Sequence, residues 1–156
     1  MPHAGDSRGW AGVALFLVGH ARDPAMAKKR IKFASLARLP LVLPGIPNGL
    51  RLMLNEAARK EGFTLQVAME VDSLVVIKDL VAGGGVYTIL PLHAAFDEMS
   101  SGRLRAAPIV DPGLSRALVL STTTQRPLTR ASREIVRLIR ELVKELADSK
   151  QWQGRP

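Results

Sequence analysis

The chain alternates short, uninterrupted apolar runs with segments whose apolar residues recur every three or four positions. Val13-Ala14-Leu15-Phe16-Leu17-Val18, closed by Gly19, is the first such run, and Leu39-Pro40-Leu41-Val42-Leu43 is the second. A strand with one wet face alternates polar and apolar residues, so runs apolar throughout predict strands buried on both faces. Pro44-Gly45-Ile46-Pro47-Asn48-Gly49 forces a loop, after which Leu50, Met53, Leu54, Ala57 and Ala58 follow at helical spacing. Gly62 supplies the left-handed stop of that helix. The unit then repeats. Phe63 to Val71 is β-prone, Asp72 or Ser73 can cap the next helix, and Leu74, Ile77, Leu80 and Val81 give it an apolar face. Gly83-Gly84-Gly85 ends the helix. Val86-Tyr87-Thr88-Ile89-Leu90 is another buried strand, stopped by Pro91, and a short helical pattern reaches Ser101 with Gly102 as its C-cap.

Beyond Leu104 the chain is extended to Val110, breaks at Asp111-Pro112-Gly113 and gives a further strand in Ala117-Leu118-Val119-Leu120. A closing helix is capped by Thr129 and carries Ile135, Leu138, Ile139, Leu142, Val143 and Leu146 on one face. Met1 to Gly12 has no periodicity, His20 to Arg38 is basic and irregular, and Gln151 to Pro156 is expected to fray. Strands alternating with helices predict an α/β fold built on a parallel sheet covered on both faces.

Composition narrows the class. In 156 residues, 47% are hydrophobic, enough to line an interior, so disordered and fibrous classes are excluded. The absence of cysteine excludes disulfide scaffolds, thiolate zinc sites, iron–sulfur clusters and thiol nucleophiles. The apolar run Ala11 to Gly19 is about half of the roughly 20 residues a membrane span needs. Arg8, that run and Ala25-Met26-Ala27 imitate a secretory leader, but His20, Arg22 and Asp23 stand where a neutral cleavage region belongs. The formal net charge of +8 is unevenly spread. Residues 1–40 carry a net +5, residues 41–108 a net −1 and residues 109–156 a net +4. On the closing helix Arg130, Arg133, Arg137, Arg140 and Lys144 face Glu134, Glu141 and Glu145 at pairing distance, which reads as a solvated face.

Candidate chemistry is sparse. His3, His20 and His93 share no context, and no carboxylate stands at metal-ligand spacing from them, so no metal or other cofactor is expected. The triple glycine follows a helix and leads into a strand, the reverse of a nucleotide-binding loop, and no Gly-Lys-Ser/Thr follows it. Neither a Gly-x-Ser-x-Gly elbow nor a Ser-x-x-Lys is present, and no enzyme is expected. Two strand-to-helix junctions remain, Pro47-Asn48-Gly49 and Val71-Asp72-Ser73. In a parallel sheet both fall at the carboxyl ends of strands, where open α/β folds bind ligands, and both offer helix N-terminal N–H groups to an anion. Asn48, Asp72 and Ser73 are equally ordinary helix caps.

The order and spacing of Leu39-Pro40-Leu41-Val42-Leu43-Pro44, Glu70-Val71-Asp72-Ser73-Leu74, Leu80-Val81-Ala82-Gly83-Gly84-Gly85-Val86-Tyr87-Thr88-Ile89-Leu90-Pro91 and Gly102-Arg103-Leu104 resemble the effector-binding domain of LysR-type transcriptional regulators. The resemblance runs from about Leu15 to Val143 and implies a type II, periplasmic-binding-protein-like fold. Such a domain has two α/β lobes joined by crossing strands, with a small-molecule effector in the cleft. By that likeness residues 39–113 form a complete second lobe with crossing strands, and residues 13–38 and 114–147 form a partial first lobe. Residues 1–12 do not match, and residues 148–156 are a tail.

The resemblance implies a cytoplasmic regulator that senses a small, anionic organic molecule, a carboxylate by preference. DNA would be reached only through a helix-turn-helix domain that this sequence does not display, and self-association is expected. Pro47, Asn48, Gly49, Val71, Asp72 and Ser73 are the implied effector-binding positions, with Asp72 capping its helix and Asn48 and Ser73 facing the ligand. The alternative is a solute-binding protein of a transport system, which shares the fold.

Overall fold

In the computed structural model, which describes residues 8–120, 122, 127, 129–148 and 154–155, the first apolar run lies within a longer strand, β1 (Arg8–His20). The chain divides into two compact units, and β1 contributes to both. The larger unit is Leu15–Leu114, and the smaller is Met1–Ala14 with Ser115–Pro156.

The larger unit is a sheet with helices on both faces. Its remaining strands are β2 (Ile31–Lys32), β3 (Leu41–Leu43), β4 (Val67–Glu70), β5 (Thr88–Pro91) and β6 (Leu104–Val110). Leu15–Val18 of β1 pair with β5 on one side, and Phe16–His20 pair with β6 on the other. β2 continues the sheet beyond β6. On the opposite side, Tyr87 N–H reaches Pro40 O at 3.0 Å and Val42 N–H reaches Tyr87 O at 2.7 Å, so β3 and β4 follow the strand that leads into β5.

β3 with β4 and β2 with β6 are parallel, but β1 is antiparallel to both its neighbours. The expectation of a wholly parallel sheet is thereby corrected. An apolar run reports that both faces of a strand are covered and carries no information on direction. The covering itself is as expected. Leu15, Leu17, Leu41, Leu43, Tyr87 and Ile89 point into one core, with Leu50, Leu54 and Ala58 of α1 (Gly49–Lys60). Val18, Val42 and Leu90 point into a second core, with Ile77 and Val81 of α2 (Leu74–Ala82). Leu74, expected on the buried face of α2, is exposed instead.

Helix ends follow the sequence signals. Gly62 has φ +79° after α1, and Gly84 and Gly85 have φ +84° and +80° after α2, a backbone region that glycine enters without a side-chain clash. α3 (Phe96–Ser100) is tied to α2 by a Lys78–Glu98 ion pair of 2.7 Å, and the Lys78 ammonium holds the Glu98 carboxyl below its ordinary pKa.

The basic segment from His20 to Arg38 is not irregular throughout. It forms 3-10 turns at Pro24–Ala27 and Phe33–Arg38, and Met26, Phe33 and Leu36 are fully buried in the core that holds Leu41 and Leu54. Residues 15–38, which the resemblance places in the first lobe, therefore pack with residues 39–114 as one unit. Their anchoring side chains are spaced for turns that cap a sheet face, a pattern with no single period to detect. Gly19 shows how closely this segment approaches β1. A Cβ there would lie 2.8 Å from Met26 and from the Tyr87 ring.

In the smaller unit, Arg8–Ala14 of β1 pair with β7 (Ser115–Leu120), across a register shift between Gly9 and Ala11. Regular structure thus begins within the segment 1–12 that sequence leaves without periodicity. β8 (Gly154–Arg155) pairs with Gly12 and Val13, and the rest of the expected tail from 149 onward lies outside the described residues, as does His3. α4 (Arg130–Asp148) starts where expected, with Thr129 Oγ1 accepting from Ser132 N–H at 3.1 Å. Arg137 pairs with both Glu134 and Glu141 along its polar side. Ile135, Leu138, Ile139 and Leu142, the apolar side, are exposed.

Tyr87 joins the 3-10 turn to the sheet by donating its hydroxyl to Asp23 Oδ2 at 2.8 Å. Burial, reinforced by the Asp23 carboxylate, pushes the phenol up to about 12. The folded state holds the neutral phenol while the unfolded chain ionises it near pH 10. Stability from this group is therefore whole below about pH 10 and is lost as pH rises toward 12, by about 2–3 kcal/mol. Urea melts of the chain and of Tyr87→Phe between pH 8 and 12 are expected to converge at the alkaline end.

Candidate functional site

The carboxyl ends of β3 and β4 bring both sequence-marked junctions to one edge of the larger unit. After Leu43 the chain turns through Pro44–Asn48, with Asn48 N–H donating to Gly45 O at 3.0 Å. After Glu70 it passes Val71–Ser73 into α2, and Val71 N–H donates to Leu43 O at 3.0 Å. A direct bond links the two loops, because Gly45 N–H donates to Asp72 Oδ1 at 3.0 Å. Pro47, Asn48, Gly49, Asp72 and Ser73 are exposed along this rim, and Val71 is half-buried. A Cβ added at Gly49 would meet nothing within 4 Å, so the space over the start of α1 is open.

The side-chain roles differ from expectation. Asn48 is the N-cap of α1, its Oδ1 accepting from Leu50 N–H at 2.9 Å. Ser73 is the N-cap of α2, its Oγ accepting from Val76 N–H at 3.5 Å. Asp72, expected to cap that helix, spans to the neighbouring loop instead. The reason is positional. Ser73 sits immediately before the helix, where a side-chain oxygen reaches the first-turn N–H groups, and Asp72, one residue earlier, faces Gly45. The Asn48 oxygen is thus committed, while its amide nitrogen remains a donor.

Sequence reasoning passed over Arg51. It lies in the first turn of α1 and is buried, with 10% of its side chain exposed. One guanidinium nitrogen donates to Glu70 Oε1 at 2.9 Å and to Pro44 O at 3.1 Å, and Nε donates to Asn55 Oδ1 at 3.2 Å. Arg51 thereby ties the loop after β3 to the last residue of β4. A signal existed, since an arginine at helix position 51 adjoins the apolar face marked by Leu50 and Leu54, but surface arginines occupy such flanks just as often.

The rim can therefore offer the start of α1 with its partial positive charge, the Asn48 amide and the acceptor Oδ2 of Asp72. Arg51 is already matched by Glu70, so the free charge of the rim is the Asp72 carboxylate. Among the described residues no group of histidines and carboxylates is placed to hold a metal. No helix among them is long and apolar enough to cross a membrane.

The two caps differ in the quality of their bonds, 2.9 Å against 3.5 Å. Asn48→Ala is expected to destabilise the chain by about 1 kcal/mol, and Ser73→Ala by about half as much or less. Denaturant midpoints of the two variants, measured side by side, check the order.

A family model for the LysR substrate binding domain matches residues 3–144. HTH-type transcriptional regulator BbuR of Bordetella bronchiseptica is 26% identical over 142 residues, covering 91% of this chain and 44% of that protein. The chain thus spans less than half the length of this curated relative. The Synechocystis PCC6803 CcmR regulatory domain in complex with 2-PG superposes with a TM-score of 0.77 at 17% identity, covering 91% of this chain and 69% of that one. The effector binding domain of QuiR in complex with shikimate gives 0.71 at 15% identity, covering 82% and 60%. These matches favour the regulatory reading over the transport alternative, and the fold is that of LysR regulatory domains. The chain belongs to the LysR substrate binding domain family.

Proposed function

We propose that the chain is the effector-sensing part of a cytoplasmic LysR-type regulator and that its larger unit supplies the rim Pro47–Gly49 and Val71–Ser73 to the effector site. The observation that carries this reading is the Gly45–Asp72 bond, which makes one continuous rim from two strand ends. The ligand that fits is a small hydroxylated carboxylate. Its carboxylate would take the start of α1 and the Asn48 amide, and a hydroxyl would donate to Asp72, whose charge disfavours an anion placed directly against it. Shikimate, the ligand of the QuiR domain, has this chemistry and serves as a probe. DNA contact would belong to a helix-turn-helix domain in the longer regulator rather than to these residues.

A ligand that binds only the folded state stabilises it, by about 2.7 kcal/mol at a hundred times its Kd. Screening hydroxylated organic acids, shikimate among them, by thermal shift is expected to find at least one that raises Tm. Asn48→Ala and Asp72→Asn should each reduce that rise. A confirmed effector whose shift ignores both substitutions would place the site elsewhere.

Self-association belongs to the same reading, supported by the exposed apolar side of α4. Sedimentation of the chain is expected to show concentration-dependent assembly, weakened by Leu138→Lys with Leu142→Lys. A monomer at all concentrations would reject it.

A further inference from the structure

A second concavity, sharing no residue with the rim, is set into the basic segment of the larger unit. It has a volume of about 490 Å³, within the range of small-molecule sites. Its apolar lining, or floor, comes from Ile31, which is buried, Leu39 and Ala25, which are half-buried, and the exposed Ala34. Lys28, Lys32 and Arg38 stand around it with the Ser35 hydroxyl, all exposed, and no carboxylate lines it.

The cations are poorly compensated. Lys32 lies 3.8 Å from Asp111, but both side chains are mostly exposed, so solvent screens the pair. Lys28 and Arg38 have no ion-pair partner among the described residues. From Lys28 to Arg38 the sequence holds five basic residues and no acidic one. Like charges gathered around a hollow with an apolar wall repel one another and focus a positive potential into it. An anion seated there relieves that repulsion.

The floor decides the kind of anion. A backbone phosphate of a nucleic acid needs a surface that a duplex can lie against, and has no use for an apolar base. A phosphorylated organic molecule uses both features. We propose that this hollow binds a small organic phosphate, its phosphoryl group held by Arg38, Lys28 and Ser35 and its apolar body laid on Ile31 and Leu39. Arginine suits the role because its planar fork donates two bonds to one phosphoryl group, whereas a lysine acts as a point charge. The site is independent of the rim and stands whether or not the rim holds the effector.

The test titrates the full 156-residue chain with phenyl phosphate by calorimetry, alongside inorganic phosphate, benzyl alcohol and a random-sequence DNA duplex. Phenyl phosphate is expected to bind more tightly than inorganic phosphate, and benzyl alcohol not to bind. Lys28→Ala and Arg38→Ala should each weaken phenyl phosphate by about tenfold, and Arg38→Lys should recover only part of the loss. Lys29→Ala, outside the lining, should leave it within about twofold. These positions are exposed, and melting curves run in parallel confirm that each variant is folded. Three results would overturn the proposal. One is an equal loss from Lys29→Ala, which would mean a general field and no site. Another is phenyl phosphate binding no tighter than inorganic phosphate. The third is duplex binding that phenyl phosphate does not displace.

Discussion

Everything in the larger unit depends on satisfying the backbone of β1 away from water. Leu17 and Val18 have no exposed surface, and a buried strand can keep its N–H and C=O groups only if both edges are paired. β5 and β6 supply those edges, each antiparallel to β1, and the alternating side chains then divide the interior into two cores. α1 and the 3-10 turns close one core, and α2 closes the other. The rim is a product of the same arrangement, because β3 and β4 run parallel and must end together.

Ending together does not by itself hold two loops in register. Three polar contacts do: Arg51 to Glu70, Arg51 to Pro44 O, and Asp72 to Gly45 N–H. A guanidinium with a tenth of its side chain exposed is costly to bury without acceptors for its N–H groups, and here the Asn55 amide oxygen serves Nε while the Glu70 carboxylate and the Pro44 carbonyl share one terminal nitrogen. The exposed groups of the rim are thus carried on a foundation that a ligand does not need to build.

Much of this was legible from residue order. Leu104–Val110 is a strand over the span expected, Thr129 caps α4, and Gly62 and Gly84 take the left-handed backbone that helix stops require. Strand direction was not legible in Val13–Val18, since burial on both faces looks the same either way. Packing of residues 15–38 with the following lobe was missed because Met26, Phe33 and Leu36 are anchors of 3-10 turns, which impose no long-range period. At the rim, residue types identified Asn48, Asp72 and Ser73 as polar groups at strand ends. Which oxygen caps and which one spans depends on loop geometry at the scale of a single residue, and composition does not encode that.

Two glycines mark opposite limits on how such a sequence can diverge. At position 19 any side chain collides with Met26 and with a tyrosine ring anchored to Asp23, so substitution there must be answered by change at several other sites. At position 49 an added side chain displaces no neighbouring atom within 4 Å. Variation is therefore accommodated at position 49, over the start of α1, while Leu50 and Arg51 beneath it are buried and held fixed. A domain partitioned in this way can acquire new chemical preferences without passing through unfolded intermediates in its history.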